Sequence, residues 1–289
     1  MPRLLRRLVS AAEPRTPRND STIMNIKRIY AIFLRQFFLV GHNKTRLVAI
    51  FGWVSLDIIL WGFITKYLNS VGRSGFNFVA VFLGVIILWG LMSRIYTGVI
   101  MAFLEDMWSR NFFNFFASPL KIGEYLLGLI SVSLTTSALA LGVMFSIAYF
   151  FFAFNIFQIG ILLIPFVGVL LVFGISLGIF ITAFILRFGP PAEWVAWIVP
   201  FAISPFAAVF YPVAVLPKFM QAISAVIPPS YVFEGLRALI ISGEFSSWSL
   251  IAGFISAIIY LILSYLFFIY TYKIVLKKGL ISRFTAESL

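Results

Sequence analysis

The sequence predicts an all-α fold. It is that of a polytopic integral membrane protein with six transmembrane helices, an N-terminal interfacial amphipathic helix, and two short outer re-entrant helices between spans five and six. Three observations predict it. Of 289 residues, 62% are apolar and only 11% are charged, against about 45–50% and about 25% in a soluble domain, so this chain cannot cover a water-facing surface. Six apolar segments approach or exceed the roughly 20 residues that cross about 30 Å of hydrocarbon. The basic residues also gather on one side of those segments, as the positive-inside rule requires.

The elements follow in order. Residues 1–23 are polar and basic, with Pro2, Pro14 and Pro17, and read as a disordered cytoplasmic tail; Met24 offers an alternative start. Residues 24–46 read as an amphipathic helix and connector. Ile26, Ile29, Tyr30, Phe33 and Phe37 form an apolar stripe, and Asn25, Arg28, Arg35 and Gln36 take the other face. That arrangement suits a helix lying in the inner interface; the plainer reading is a frayed extension of the first span. The transmembrane domain fills 47–289, with spans at about 47–65, 77–104, 125–153, 159–186, 194–210 and 248–272. The fifth is the shortest, and Pro200 and Pro205 predict that it is kinked or broken.

Six spans put both termini on one side. With that side as the cytoplasm, the N-terminal region alone holds ten Lys/Arg, and only Lys66, Arg73, Lys218 and Arg237 fall outside. The formal net charge of +12 therefore reflects membrane orientation, and no nucleic acid is expected as a partner. The chain has no cysteine and a single histidine, His42, which excludes thiolate chemistry and a His-based metal cluster within one chain. The ten acidic residues cluster only at Glu105-Asp106, and adjacent helical residues diverge too far to serve as a catalytic pair. No catalytic residue and no metal site is expected. A pure scaffold remains a further alternative class.

Three features carry the functional signal. The inner loop after the second span, about 105–120, starts with Glu105 and Asp106, as a helix N-terminus prefers, and stops at Pro119. Trp108, Phe112, Phe115 and Phe116 make one aromatic face, while Arg110, Asn111 and Asn114 project elsewhere. It reads either as a short helix offering a polar side to a cytoplasmic partner or as an ordinary aromatic-anchored loop. The outer segment, about 211–247, is too apolar for a solvated loop and splits at Pro228-Pro229 into two pieces too short to span; Glu234 and Arg237 pair across one turn. Finally, Asp57 and Arg94 lie at matched depth, roughly 15 Å from the inner boundary. They are expected to form an intramembrane ion pair, with a proton or ion relay as the alternative.

At the two loops the sequence resembles the permease subunits of the ABC-2 type transporter family. Glu105 through Ser118-Pro119-Leu120 is similar to that family's helix after the second span. Tyr211-Pro212, Leu216-Pro217, Pro228-Pro229-Ser230-Tyr231 and Glu234-Gly235-Leu236-Arg237 follow the order of its outer segment. The resemblance covers roughly residues 24–280. It implies that Glu105, Asp106, Trp108, Arg110, Asn111, Asn114, Ser118 and Pro119 form a coupling helix seated in a separate cytoplasmic P-loop ATPase, with Glu105, Asp106, Arg110 and Asn114 meeting the partner. It also implies that Tyr211, Pro212, Pro217, Pro228, Pro229, Glu234 and Arg237 belong to an outer gate. A second permease copy or paralogue would complete the path as a dimer in contact with membrane lipid.

The residues themselves support one part of this. No Gly-x-x-x-x-Gly-Lys-Ser/Thr loop is present, and Gly41-His42-Asn43-Lys44-Thr45 lacks the second glycine and the spacing. No cofactor is therefore expected in this chain; ATP and Mg would be bound by the partner ATPase. The expected function is a transport subunit of an exporter in a bacterial cytoplasmic membrane, with both termini cytoplasmic and an amphipathic or lipid-like cargo (a drug, a lipid-linked glycan or a polysaccharide). The alternative is an ion-coupled secondary transporter using Asp57 and Arg94.

Overall fold

The computed structural model describes residues 24–71, 78–109, 111, 115, 118–243 and 246–280, with backbone alone at 78–81 and 157–159. Among these residues no strand occurs. The helices are α1 (Ile26–His42), α2 (Lys44–Val71), α3 (Phe78–Trp108), α4 (Ile122–Phe152), α5 (Leu163–Phe188), α6 (Val195–Ile203), α7 (Lys218–Ser224), α8 (Pro228–Ser242) and α9 (Ser247–Lys277). Short 3-10 turns lie at Ile156–Leu162, Pro190–Ala192 and Val213–Val215. The tail 1–23 and the C-terminal 281–289 fall outside the described residues.

Helix ends follow local chemistry. Asn25 caps α1 by accepting from the Lys27 amide, and Asn43 breaks the chain between α1 and α2 with an extended backbone. Pro228 and Pro229 open α8, where the missing N–H costs nothing. Gly243 closes it in the left-handed conformation at φ 70°.

α3 and α5 form the centre. α5 packs against α9 on one side and α3 on the other; α3 also packs against α4, and α2 lies across α3 and α4. Gly174 and Gly178, one turn apart on α5, set the α3–α5 approach. A Cβ at Gly174 would lie 3.2 Å from Ile95 and from the Met92 carbonyl, and one at Gly178 would lie 3.0 Å from Val99. Small residues at this spacing let backbones meet where lipid gives no hydrophobic drive. α2 and α9 are the peripheral helices. Trp53, Leu56 and Leu60 on α2, with Ile255, Ile259 and Ile262 on α9, face outward.

Five helices are long and apolar enough to cross a membrane: Lys44–Val71, Phe82–Trp108, Ile122–Phe152, Gly160–Phe188 and Ser247–Lys277. The segment expected as a fifth of six spans, 194–210, forms no such helix. α6 has nine residues, a rise of about 14 Å, and turns carry the chain on to Tyr211. The break lies at the second of the two prolines: Pro200 is accommodated within α6, but Pro205 cannot donate to the Phe201 carbonyl, so the helix ends before it.

The close approach of α3 and α5 is testable. Gly178→Leu is expected to cost about 1–3 kcal/mol through overpacking and to lower the unfolding temperature in detergent. Gly142→Leu, where a Cβ meets nothing within 4 Å, is expected to leave it unchanged. Equal melting of the two variants would remove the close-packing account.

Candidate functional site

Two polar knots form where the bundle meets its ends. One is built on Asp106; it is called the inner knot, and the other the outer knot, after the orientation that the basic residues predict. The Asp106 carboxylate is fully buried and accepts from Arg35 Nη1 at 2.6 Å, Gln36 Nε2 at 2.9 Å and the Tyr125 hydroxyl at 2.8 Å. Gln36 Nε2 donates as well to the Ala102 carbonyl. One carboxylate thus ties α1, α3 and α4 together. The Arg35 guanidinium also stacks over Phe115, 5.1 Å from the ring centre, and Phe115 in turn meets Tyr125.

A second carboxylate, Glu124, braces the same junction. It is fully buried at the start of α4 and accepts from the backbone amides of Asn25 at 2.7 Å and Lys121 at 2.9 Å. Arg28 lies 3.6 Å away and also donates to the Pro119 carbonyl. Glu105 forms an ion pair with Arg46 of α2. Trp108 Nε1 donates to Glu193 in the turn between α5 and α6, at 2.9 Å. Glu124 and Glu193 were not legible as site residues. Only the glutamate at the third position of α4 carried a signal, the second half of a capping box.

The geometry corrects several expectations. Glu105 and Asp106 sit in the last turn of α3, not at the start of a separate helix. The macrodipole disfavours acids there, and Arg46 and Arg35 supply the compensating charge. Asp106 is too buried to meet a cytoplasmic partner; it holds α1 instead. Trp108, Ser118 and Pro119 are exposed and Asn111 is half-exposed, while Arg110 and Asn114 lie outside the described residues. In α1 it is the placement of Gln36 on the polar face that fails. Ile32, Gln36 and Val40 form its buried face. Tyr30, Phe33 and Phe37 stack along an outer stripe with Tyr30 and Phe37 exposed. Gln36 turns inward because Asp106 needs its amide.

The outer knot joins most of the predicted outer residues. Glu234 Oε1 accepts from the Val213 amide at 2.9 Å and from Arg237 Nη1 at 2.6 Å. Arg237 Nη2 donates to the carbonyls of Ala208 at 2.8 Å and Val209 at 3.3 Å. These belong to the broken fifth segment, where Ala208 adopts a positive φ of 54° and helical bonding has ceased. The Tyr211 hydroxyl donates to the Pro205 carbonyl at 2.9 Å, and Pro212 leads into the Val213–Val215 turn. Pro217 caps α7. Ser230 and Tyr231 donate to the Ser224 and Ala225 carbonyls, so α7 is tied to α8. Phe233 and Leu236 of α8 are fully buried, and α8 packs on α9, α5 and α3.

Asp57 and Arg94 are not brought together. Trp61 lies one turn along α2 from Asp57. Arg94 Nε is buried without a hydrogen-bond partner, and among the described residues no ion pair includes either side chain. Matched depth did not make them neighbours, because depth fixes height along a helix and not the direction a side chain faces.

Both knots are testable. Removing one partner of a buried charge pair costs about 3–5 kcal/mol, less here because Arg35 keeps 30% of its side chain exposed. Asp106→Ala should therefore loosen α1. In the naturally cysteine-free chain, Ile32→Cys should react slowly with a maleimide, and several-fold faster once Asp106→Ala is added. An unchanged rate would show that α1 is held by other contacts. At the outer knot, Arg237→Leu strands two carbonyls, at about 1–3 kcal/mol for each buried group left unpaired. It is expected to lower the melting temperature more than Glu234→Gln, which can still accept from Val213; the reverse order would contradict the assignment of the carbonyls to Arg237.

No curated protein matches the sequence closely enough to count as a relative. The family model for ABC-2 type transporters matches residues 27–241, a stretch that begins in α1, includes both knots and ends in α8. With its long apolar helices, the chain is an integral membrane protein that belongs to the ABC-2 type transporter family.

Proposed function

We propose that the chain is the membrane-spanning permease subunit of an ATP-driven exporter. A separate cytoplasmic P-loop ATPase, holding ATP and Mg, drives it. Two copies, or one copy and a paralogue, line the path, and both termini face the cytoplasm of a bacterial inner membrane. The fifth segment with α6 makes the sixth crossing in this reading, and α7 and α8 dip into the outer leaflet as re-entrant helices.

The family match over 27–241 carries the reading, and the inner knot supplies a mechanism for it. A push on the loop after α3 cannot move that loop alone. Asp106 binds α3 to α1 and α4, and Glu124 binds α4 to the start of α1. Glu105 extends the group to α2 through Arg46, and Trp108 reaches the α5–α6 turn through Glu193. Force from an ATPase would therefore reach four helices as one body and tilt a turn leading to the fifth segment. Exposed Trp108, Ser118 and Pro119 offer the contact surface, and Asp106 and Glu124 act as positioning residues behind it.

Affinity purification from the native host tests this. A P-loop ATPase is expected at stoichiometric level, and Ser118→Arg, a bulky charge at an exposed position, is expected to reduce its recovery at least tenfold without altering the elution profile of the chain. A chain that purifies as a stable oligomer without an ATPase would end the exporter reading.

A further inference from the structure

A cavity of about 340 Å³ lies at the end of the bundle opposite the inner knot, between α3 and the last two turns of α4. Backbone chemistry makes it. Ala153 closes α4 in the left-handed region at φ 52°, and the Phe154 amide donates back to the Ala148 carbonyl at 3.1 Å. The chain therefore turns under the helix end and carries Phe154 inward. The Phe154 ring is buried and reaches α3. A Cβ at Gly84 would lie 3.7 Å from that ring and 3.9 Å from Leu236 of α8. Ile87, Ala148, Phe154 and Ile156 make the buried walls, and exposed Tyr149 and Phe150 make the rim.

The lining decides what fits. Among the described residues no charged side chain lines the cavity, and the Ser146 hydroxyl is engaged with the Gly142 carbonyl at 2.8 Å. Nothing there holds an ionic headgroup, and apolar walls do not hold water. An apolar cavity of about 150 Å³ already takes up a benzene ring, and ligand sites run from about 300 to 1,000 Å³. Depth then selects a chain over a ring. Ile87 lies about 14 Å along α3 from Phe78, inside the apolar span Phe82–Trp108. Tyr149 stands three residues before the end of α4, at the level where tyrosines meet the membrane interface. The cavity thus runs from the interface into the hydrocarbon, as an acyl chain does.

We propose that this cavity is a binding site for one acyl chain of a membrane glycerolipid, resident and not transported. The ester region sits beside Tyr149, and the headgroup stays outside in the interface. The site reads the chain and not the charge of the headgroup. It stands on the cavity alone and does not rest on the exporter reading.

The test uses the full chain in phosphatidylcholine nanodiscs carrying a trace of the same lipid with a diazirine in one chain. After illumination, labelled residues are mapped by mass spectrometry. Label is expected on residues 145–156 and Ile87, at least fivefold above the exposed face of α9. Ser146→Trp, which places an indole in the cavity from an exposed position, should lower that label at least fivefold. Leu139→Trp, also exposed on α4 but outside the cavity, should leave it unchanged. Unlabelled phosphatidylglycerol and phosphatidylethanolamine with the same chains should displace the probe equally.

Even labelling along the exposed faces of α2, α4 and α9 would mean annular lipid only and would overturn the proposal. So would undiminished label in a Ser146→Trp chain that elutes and melts like the parent. Should Trp at this position prevent folding, Ser146→Leu is the smaller filler and is read in the same way. Displacement at least tenfold better by phosphatidylglycerol than by phosphatidylethanolamine would overturn recognition of the chain. Loss of label on adding ATP and Mg to a chain purified with an ATPase would overturn residence and mark the lipid as cargo.

Discussion

A polar group inside hydrocarbon has no water to bond with, and this constraint shapes both ends of the molecule. Unsatisfied groups there cost several kcal/mol each, so a helix can be interrupted only where other atoms take over its hydrogen bonds. The fifth segment is interrupted after nine residues. The carbonyls of Ala208 and Val209, which helix continuation would have satisfied, are taken by Arg237, and the Val213 amide by Glu234. The pair would contribute little as an exposed salt bridge. Its value lies in what else the two side chains hold.

The same constraint governs the inner end from the opposite direction. There a carboxylate, not a backbone break, needs partners. Asp106 draws a guanidinium, an amide and a phenol from two other helices, and the consequence is mechanical. α1, which contributes no apolar span, becomes part of the helical body through Asp106 and Glu124. The last turn of α3 and the start of α4 are thereby tied to α1, and through Glu105 and Arg46 to α2. In the exporter proposed above, such a joint would separate a push that is absorbed locally from one that reaches the other side of the membrane.

Between the two ends the packing is apolar and depends on shape. Gly174 and Gly178 bring α5 against the backbone of α3, and this central pair is flanked by α4, α9 and the looser α2. Arg94 is the exception within this interior, a permanent cation on the central helix without a described counter-ion.

The sequence by itself determined the class of solvent, the helical fold, five long apolar helices out of the six spans it predicted, and the proline interruption of the fifth segment. These are set by composition and by local backbone chemistry, which act over a few residues and need no neighbours. The ordered motifs of the two loops also pointed to the family. Only the tertiary structure decided which side chains meet. Periodicity assigned Gln36 to the polar face of α1, yet it is buried because Asp106 lies opposite. Depth suggested Asp57 with Arg94, yet rotation about the helix axes separates them. Glu105 and Asp106 looked like the start of a helix and instead end one. Each of these depended on the azimuth and register of one helix against another, which interhelical packing sets and a linear pattern does not encode.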